Sequence, residues 1–153
     1  MPAFMDFKIE KVERHDDSRG ELIILLQKKD LPKKNQTFGE IFYITFAKKG
    51  TVRANHYHKN WREWFVVVSG RIKVELEDIK TKKRLTKIID TNSNLIERLE
   101  IGPNVAHAFK AETSNACLLN YSNLPWKKKD VIPYILIPQG NPSSLKYDKR
   151  TKK

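Results

Sequence analysis

Two histidines and a carboxylate stand close together in the middle of the chain. His56 and His58 lie in the segment RANHYH, and Glu63 follows after four intervening residues. In a β-strand, residues i and i+2 project from the same face, so both imidazoles should point the same way. Two neutral imidazoles and a carboxylate are suitable ligands for a divalent metal such as zinc, iron, manganese or nickel. The segment therefore predicts three of the ligands of a metal site.

A third histidine lies in a later segment that reads as a turn. His107 stands in the segment IGPNVAHAF, shortly after Pro103 and Asn104. Asn is the residue that best replaces Gly where a turn needs a positive φ. The chain has only four histidines, and the fourth, His15, lies outside both segments and should not belong to the cluster. The alternative is that the three histidines are ordinary strand or core residues, but the combined spacing favours a site.

Many short strands must position these side chains. From Arg71 to Glu77, charged residues alternate with Ile72, Val74 and Leu76, which is typical of a half-buried strand. Gly50 and Gly70 mark turns that bracket the histidine-bearing strands. Further strands are predicted at 1–11, 22–26, 41–46, 64–68, 85–89, 95–101, 108–110 and 116–121. Because no window has a helical period long enough for a confident helix, the sequence predicts an all-β sandwich or barrel.

The chain length fits one domain, for which we expect residues 1–137, followed by a basic, poorly ordered tail at 138–153. The segment VIPYILIP, at 131–138, should add an edge strand or pack across a neighbouring subunit. No run of 18 or more apolar residues and no signal-peptide pattern occurs, which predicts a soluble protein without a membrane partner. The single cysteine, Cys117, allows no internal disulfide and is expected in the core, so a cytoplasmic location is the default.

The net charge of +12 raises the question of an anionic partner. The lysines are scattered in short groups, and no nucleic-acid-binding motif accompanies them, so we do not expect nucleic acid to bind. A basic surface would also attract an anionic metabolite, such as a sugar that carries a diphosphate. We favour that interpretation.

The spacing of the candidate ligands resembles a known family. The pattern G-x5-H-x-H-x4-E-x6-G from Gly50 to Gly70 is similar to the first cupin motif. The segment 102–107 resembles the second motif, Pro-x-Gly-x-x-His, with Asn104 at the Gly position and Pro103 one position later than the motif's proline. This second resemblance implies that His107 is a fourth metal ligand. The resemblance implies a cupin double-stranded β-helix, or jelly-roll, of the RmlC-like type.

A narrower resemblance covers about residues 7–135. The segments DSRGEL, FGEIFYITFAKKGTVRANHYHKNW and VVVSGRIKVELED are similar to cupins that act on nucleotide-linked 4-keto-6-deoxy sugars. These cupins include 3,4-ketoisomerases, the 3,5-epimerases of the rhamnose pathway and the metal-binding cupin domain of capsular-polysaccharide-synthesis proteins. The resemblance implies an enzyme of surface polysaccharide sugar biosynthesis. A homodimer is expected for a separate reason: the exposed edge strands of a jelly-roll need cover, and the apolar segments 4–9 and 131–137 are candidates to cross over.

Site roles follow from this resemblance. The ketoisomerase segment RRGFHAH matches 52–58 here, which implies proton transfer by His56 and His58. The implied or candidate substrate-binding residues are Arg19, Arg53, Tyr57, Trp61 and Tyr121. Each arginine could instead form a structural ion pair, and each aromatic residue could belong to the core. The catalytic tyrosine of the epimerases falls near Asn120, with Tyr121 beside it.

One conflict stays open at the level of sequence. The ketoisomerases generally lack the glutamate and the late histidine, whereas this chain has a complete set of metal ligands in His56, His58, Glu63 and His107. A nitrogen bound to a metal cannot also transfer a proton. Either a divalent metal polarises the keto oxygen as a Lewis acid, or the site holds no metal and His58 acts as the base. No organic cofactor is expected.

The sequence thus predicts an isomerase or epimerase that acts on a nucleotide-linked, dTDP-type 4-keto-6-deoxyhexose by proton transfer beside the keto group. Two alternatives share the same fold: a metal-dependent cupin oxygenase and a non-catalytic sugar-binding cupin.

Overall fold

A computed structural model describes residues 5–93 and 95–139 of the chain. Its strands are β1 Phe7–Lys11, β2 Glu13–Asp17, β3 Gly20–Ile24, β4 Glu40–Thr45, β5 Val52–Tyr57, β6 Glu63–Ser69, β7 Arg71–Asp78, β8 Arg84–Asp90, β9 Glu97–Ile101, β10 Val105–Ala111, β11 Cys117–Ser122 and β12 Ile132–Pro133. Three short 3-10 turns occur at Lys28–Asp30, Lys33–Asn35 and Lys128–Asp130. No helix in the described part of the chain is long and apolar enough to cross a membrane.

Two five-stranded antiparallel sheets face each other. The first has the order β1-β9-β6-β11-β4 and the second the order β12-β5-β10-β7-β8, while β2 and β3 form a separate hairpin. This arrangement is the jelly-roll that the sequence predicts. The alternation from Arg71 to Glu77 is confirmed, because Ile72, Val74 and Leu76 are buried. They pack in the core with residues of the first sheet: Phe65, Val67, Leu99, Ile101 and Leu118.

The turn between β6 and β7 requires glycine. Gly70 has a φ of +73°, and a Cβ there would lie 2.3 Å from Thr113 Oγ1 and 2.9 Å from Ala116 Cα. A side chain would therefore both strain the backbone and collide with its neighbours. The turn fixes how the strand that begins with Glu63 leads into the strand that packs across the core.

Several strand predictions extend beyond the observed elements. The predicted strand 22–26 ends at Ile24, and the carbonyl of Leu25 instead accepts a bond of 3.0 Å from Arg98 Nη1. The predicted strand 95–101 begins at Glu97. Of the predicted first strand, 1–4 lie outside the described residues, as do residues 140–153 of the predicted tail.

The predicted edge strand within 131–138 is short and pairs with its own chain. Ile132 and Pro133 lie opposite Tyr57 and His56 of β5. The apolar residues that follow, including Leu136, pack against Ala106 and Ala108 on the outer face of the second sheet. This segment therefore covers the back of the strands that carry the histidines.

Candidate active site

The pairing of β5 with β10 brings two of the histidines together. His56 and His107 are directly opposite each other in this antiparallel pair. His58 follows the end of β5, and its backbone carbonyl accepts a bond of 2.7 Å from the backbone N–H of Asn104. Asn104 has a φ of +63°, the conformation for which Asn can replace Gly. The turn before His107 is thus attached directly to His58.

β5 is irregular just before His56. Ala54 and Asn55 have φ values of +69° and +56°, and the pairing with β10 shifts register between His107 and Ala108. Such a bulge changes the direction in which the following side chains point. The buried side chain of Asn55 stabilises it by accepting bonds from the backbone N–H groups of Leu136 and Ile137, at 2.9 and 3.1 Å. The bulge and the segment that covers it therefore set the position of His56 and His58.

Glu63 approaches two of the imidazoles. Its Oε2 atom lies 3.4 Å from His58 Nε2 and 3.3 Å from His107 Nε2. Ligand nitrogens of His56, His58 and His107 all lie within 4.8 Å of one another. In a tetrahedral zinc site with bonds near 2.0–2.1 Å, two ligand atoms are separated by about 3.3 Å. The separations from Glu63 are those expected of two ligands of one metal ion.

The hydrogen bonds of the rings show which nitrogens carry a lone pair. His58 Nδ1 lies 2.6 Å from the carbonyl oxygen of Asp130, and His107 Nδ1 lies 3.1 Å from that of Val105. Because a carbonyl only accepts, both Nδ1 atoms must carry the proton. Both Nε2 atoms, together with Glu63 Oε2, are buried and have no hydrogen-bond partner among the described residues. Buried polar atoms without partners are rare, and these three converge, so the donor set fits a divalent cation.

Burial also sets the charge of the cluster. Desolvation, followed by the nearby His58, lowers the pKa of His56 to about 4. Complete burial lowers the pKa of His107 well below its usual value, and the other two histidines add to this effect. For His58, burial lowers the pKa, but the nearby Glu63 carboxylate, 3.4 Å from Nε2, and the carbonyl of Asp130 outweigh this effect and raise the pKa above its usual value. His56 and His107 are therefore neutral at neutral pH and can bind a metal or accept a proton.

Two further side chains surround the cluster. The ring of Trp61 stacks on that of His58, with centroids 4.5 Å apart and planes 19° apart, and it is only 3% exposed. Asn120 is fully buried, and its Nδ2 lies 3.5 Å from Glu63 Oε1, while its Oδ1 has no partner in the described structure. Asn120 thus holds the carboxylate and leaves an acceptor free inside the barrel.

The other predicted substrate-binding residues lie elsewhere. Tyr57 packs on Tyr134 over the outer face of the second sheet, and Tyr121 packs on Trp64 over the outer face of the first. Arg19 is at the exposed tip of the separate hairpin, where it pairs with Asp17 at 2.5 Å. Arg53 is exposed and donates to the carbonyl of Thr45 at 3.3 Å. Of the five, only Trp61 contacts the histidine cluster within this chain.

Tyr121 lines a different cavity. This cavity has a volume of about 580 Å³ and lies under the segment 24–38 on the outer face of the first sheet, beside Trp64. The Tyr121 hydroxyl donates to the carbonyl of Thr37. His15 lies apart from both places, exposed on β2 and 3.0 Å from Glu13. The sheet therefore separates Tyr121 from the histidines, and alternation along β11 brings Asn120 to the inside instead.

The sequence gives no separate signal for the role of Asp130. It lies 72 residues after His58, in a charged segment that would be expected at the surface, yet it is buried and contacts the His58 ring. The inward position of Asn120 follows from the alternation of burial along Cys117–Ser122, in which Leu118, Asn120 and Ser122 are buried. The residue types alone do not reveal it, because the more apolar set, Cys117, Leu119 and Tyr121, lies on the other face.

Comparison with solved structures gives the same fold. A 3,4-ketoisomerase from Helicobacter canadensis is 25% identical, with a TM-score of 0.72 over 84% of this chain and 91% of that one. QdtA, a sugar 3,4-ketoisomerase from Thermoanaerobacterium thermosaccharolyticum in complex with TDP, is 23% identical, with a TM-score of 0.71 over 83% and 87%. A dTDP-4-dehydrorhamnose 3,5-epimerase from Bacillus anthracis is 18% identical, with a TM-score of 0.72 over 87% of each chain. A search of curated proteins gave no match.

Two facing antiparallel sheets, with histidines brought together where β5 pairs with β10, define the RmlC-like cupin fold. Residues 5–135 match the family model described as "FdtA: WxcM-like, C-terminal". The chain belongs to this family, as the resemblance in the sequence predicts.

Proposed function

We propose that this protein is a sugar-nucleotide isomerase, and specifically a 3,4-ketoisomerase of a dTDP-linked 4-keto-6-deoxyhexose. The observation that carries the proposal is His56, a half-buried and neutral imidazole beside a cluster that can stabilise negative charge. The similar structures include enzymes described as 3,4-ketoisomerases, one of them in complex with TDP-4-keto-6-deoxyglucose. Both lines of support point to proton transfer next to a keto group.

The reaction moves a carbonyl group between neighbouring carbons. A base removes the proton from C3 of the 4-keto sugar, and the 4-keto oxygen gains a proton to form an enediol. The base then returns its proton to C4, while the hydroxyl on C3 loses its proton and becomes the new keto group. No oxidant or organic cofactor is needed, because the substrate and product are isomers.

We assign the carbon-to-carbon proton transfer to His56. Among the three clustered histidines it is the least buried, so it is the one that a sugar can reach. Its lowered pKa keeps it unprotonated at neutral pH but also makes it a weak base. A weak base can still act if the negative charge that develops on the sugar oxygens is strongly stabilised.

We further propose that His58, Glu63 and His107 hold a divalent metal such as zinc, nickel, manganese or iron, with His56 close enough to join them when no substrate is bound. A bound cation would act as a Lewis acid on the keto oxygen and supply that stabilisation. Trp61 excludes water from one face of His58, and Asn120 holds Glu63 from the other side. In this assignment His56 is the base, and His58, Glu63 and His107 are the ligands, so no nitrogen has to bind a metal and transfer a proton at once.

Asn120 favours a ketoisomerase over a 3,5-epimerase. Within residues 5–93 and 95–139, no tyrosine takes the place of the catalytic tyrosine expected of the epimerases, because the inward residue on β11 is Asn120 and the neighbouring Tyr121 faces outward. An amide cannot donate a proton as a general acid. The free oxygen of Asn120 can instead accept a hydrogen bond from a sugar hydroxyl.

The test is incubation of the protein with dTDP-4-keto-6-deoxyglucose in deuterated water, followed by NMR and mass spectrometry. We expect a 3-keto product, with deuterium at C4 in the fraction of turnovers in which the proton on His56 exchanges with solvent before its return. His56→Asn should reduce the rate by roughly 100- to 10,000-fold, the usual contribution of a general base. Deuterium exchange at C3 and C5 without a shifted keto group would indicate an epimerase. Oxygen uptake would indicate an oxygenase, and binding without exchange would leave only a sugar-binding cupin.

The remaining parts of the proposal concern the setting. We propose a homodimer, because β4 is an edge strand whose outer residues Ile41 and Tyr43 are 59% and 72% exposed. The anionic nucleotide sugar suits the net charge of +12, and a cytoplasmic location suits a chain with one cysteine.

A further inference from the structure

Asp130 contacts both His58 and the two residues that follow it. Its backbone carbonyl accepts the proton of His58 Nδ1 at 2.6 Å. Its carboxylate accepts the backbone N–H groups of Lys59 and Asn60, at 2.9 and 3.2 Å, and the Asn60 side chain at 3.3 Å. The main chain of Asp130 thus holds the ring, and its side chain holds the backbone that directly follows the ring.

The burial of Asp130 shows that its contacts belong to the folded core of the site. Asp130 is only 5% exposed, although it lies in a charged 3-10 turn, Lys128–Asp130, between β11 and β12. A buried carboxylate is costly unless hydrogen bonds satisfy it, and three donors do so here. The turn itself is closed by the Asp130 N–H, which donates to the carbonyl of Lys127 at 2.9 Å. The hydrogen bonds of its N–H and of its carboxylate together fix the position of the Asp130 carbonyl that faces His58.

His58 and His107 differ in where the hydrogen-bond partner of Nδ1 comes from. His107 Nδ1 is held by Val105, two residues away on its own strand, so that contact forms with the strand itself. His58 lies beyond the end of β5, and the partner of its Nδ1 comes from 72 residues later. Without Asp130, the described structure offers no hydrogen bond that would keep His58 Nε2 directed at Glu63.

We propose that Asp130 is the positioning residue of His58, which fixes its Nδ1–H tautomer and directs the Nε2 lone pair into the metal site. This inference rests on the metal site in the proposed function and adds a residue to it. Partners of this kind around a metal ligand typically contribute 10- to 100-fold to metal affinity. Asp130 acts through His58 and does not itself contact the cluster of Nε2 atoms.

The first test uses the unaltered protein without metal. Nitrogen NMR of the histidine rings at alkaline pH should show His58 as the Nδ1–H tautomer, with a slowly exchanging proton. An Nε2–H tautomer at His58 would overturn the proposal, even if every variant of Asp130 failed to fold.

The second test compares Asp130→Asn with a matched control, Asp90→Asn. Asp90 also accepts a backbone N–H in a turn, that of Asn92 at 2.9 Å, but it lies at the far end of β7 and β8 from the site. In Asp130→Asn, an amide N–H faces backbone donors, so the turn after His58 should loosen. We expect its affinity for zinc, measured by competition with a chelator, to fall about 10- to 100-fold. The ring signals of His58 should change, while those of His107 stay the same.

The control variant Asp90→Asn should keep the zinc affinity and the His58 ring signals of the unaltered protein. Equal zinc affinities in the two variants, or a lower melting temperature in Asp130→Asn with unchanged His58 signals, would reduce Asp130 to a structural role. Neither readout uses a sugar substrate. A protein that fails to isomerise the sugar but shows these effects would refute the proposed reaction and support the role of Asp130.

Discussion

Replacing Glu63 by Gln tests the metal site most directly. The change keeps the shape of the side chain but removes the charge that lies 3.3 and 3.4 Å from the two Nε2 atoms. Glu63 is 3% exposed, so no solvent can take over its role as a ligand. Gln can still contact Asn120, and the metal-free variant should melt close to the unaltered protein.

The magnitude follows from linkage between metal binding and folding. At a free zinc concentration about 100 times Kd, binding stabilises the folded protein by about 2.7 kcal/mol. For a chain of this size, that stabilisation raises the melting temperature by roughly 5 to 11 °C. If Glu63→Gln weakens binding about 100-fold, the same zinc concentration contributes only about 0.4 kcal/mol, or about 1 °C.

The assay is a thermal melt with zinc and with chelator, run beside a rate measurement. Glu75→Gln is the matched control, because Glu75 is also a buried strand carboxylate but pairs with Arg84 at 2.7 Å away from the histidines. Its zinc-dependent shift should equal that of the unaltered protein. An equally large zinc shift in Glu63→Gln would refute the assignment of Glu63 as a ligand, and full activity after chelation would refute a catalytic metal.

Three further predictions follow from the structure. First, the metal-free protein should lose stability as the pH falls from 6.5 towards 4, because the unfolded His56 binds a proton there and the folded one, with a pKa of about 4, does not. The loss due to His56 is of the order of 3 kcal/mol, so in denaturant titrations His56→Gln should lose that much less stability than the unaltered protein. His107, whose pKa is also lowered, causes a loss of the same sign in both proteins. His58, whose pKa is raised, acts in the opposite direction and contributes stability at low pH that disappears as the pH rises. Second, Ala54→Gly should stabilise the protein by about 1 kcal/mol, because Ala54 has a φ of +69°, which glycine adopts without steric cost. An unchanged or lower unfolding midpoint would mean that the bulge at Ala54 is not strained. Third, light scattering at micromolar concentration should show a dimer of about 36 kDa, twice the chain mass of 17.9 kDa. A monomer at that concentration would contradict the proposal that the exposed edge strand β4 forms an interface.

The sequence determined the fold class and the grouping of His56, His58 and Glu63 because both depend on short-range regularities, whereas His107 joins them through the pairing of β5 with β10. Alternation with a period of two is enough to place Ile72, Val74 and Leu76 in the core, and it did so. The short separations among His56, His58 and Glu63 are enough to bring them near each other across one turn between neighbouring segments. The positive φ of Asn104 was also accessible, since few residue types suit that backbone conformation.

The tertiary structure decided which residues support the cluster and which face away from it. The bulge at Ala54 and Asn55 interrupts the alternation of β5, so a simple period of two could not assign faces there. Tyr57 and Tyr121 lie outside the barrel because their strand neighbours fill its inside, a choice that depends on which sheet packs on which. The contact between Asp130 and His58 joins residues 72 apart. No local pattern encodes such a contact, because it forms only when the chain after β11 returns across the end of β5.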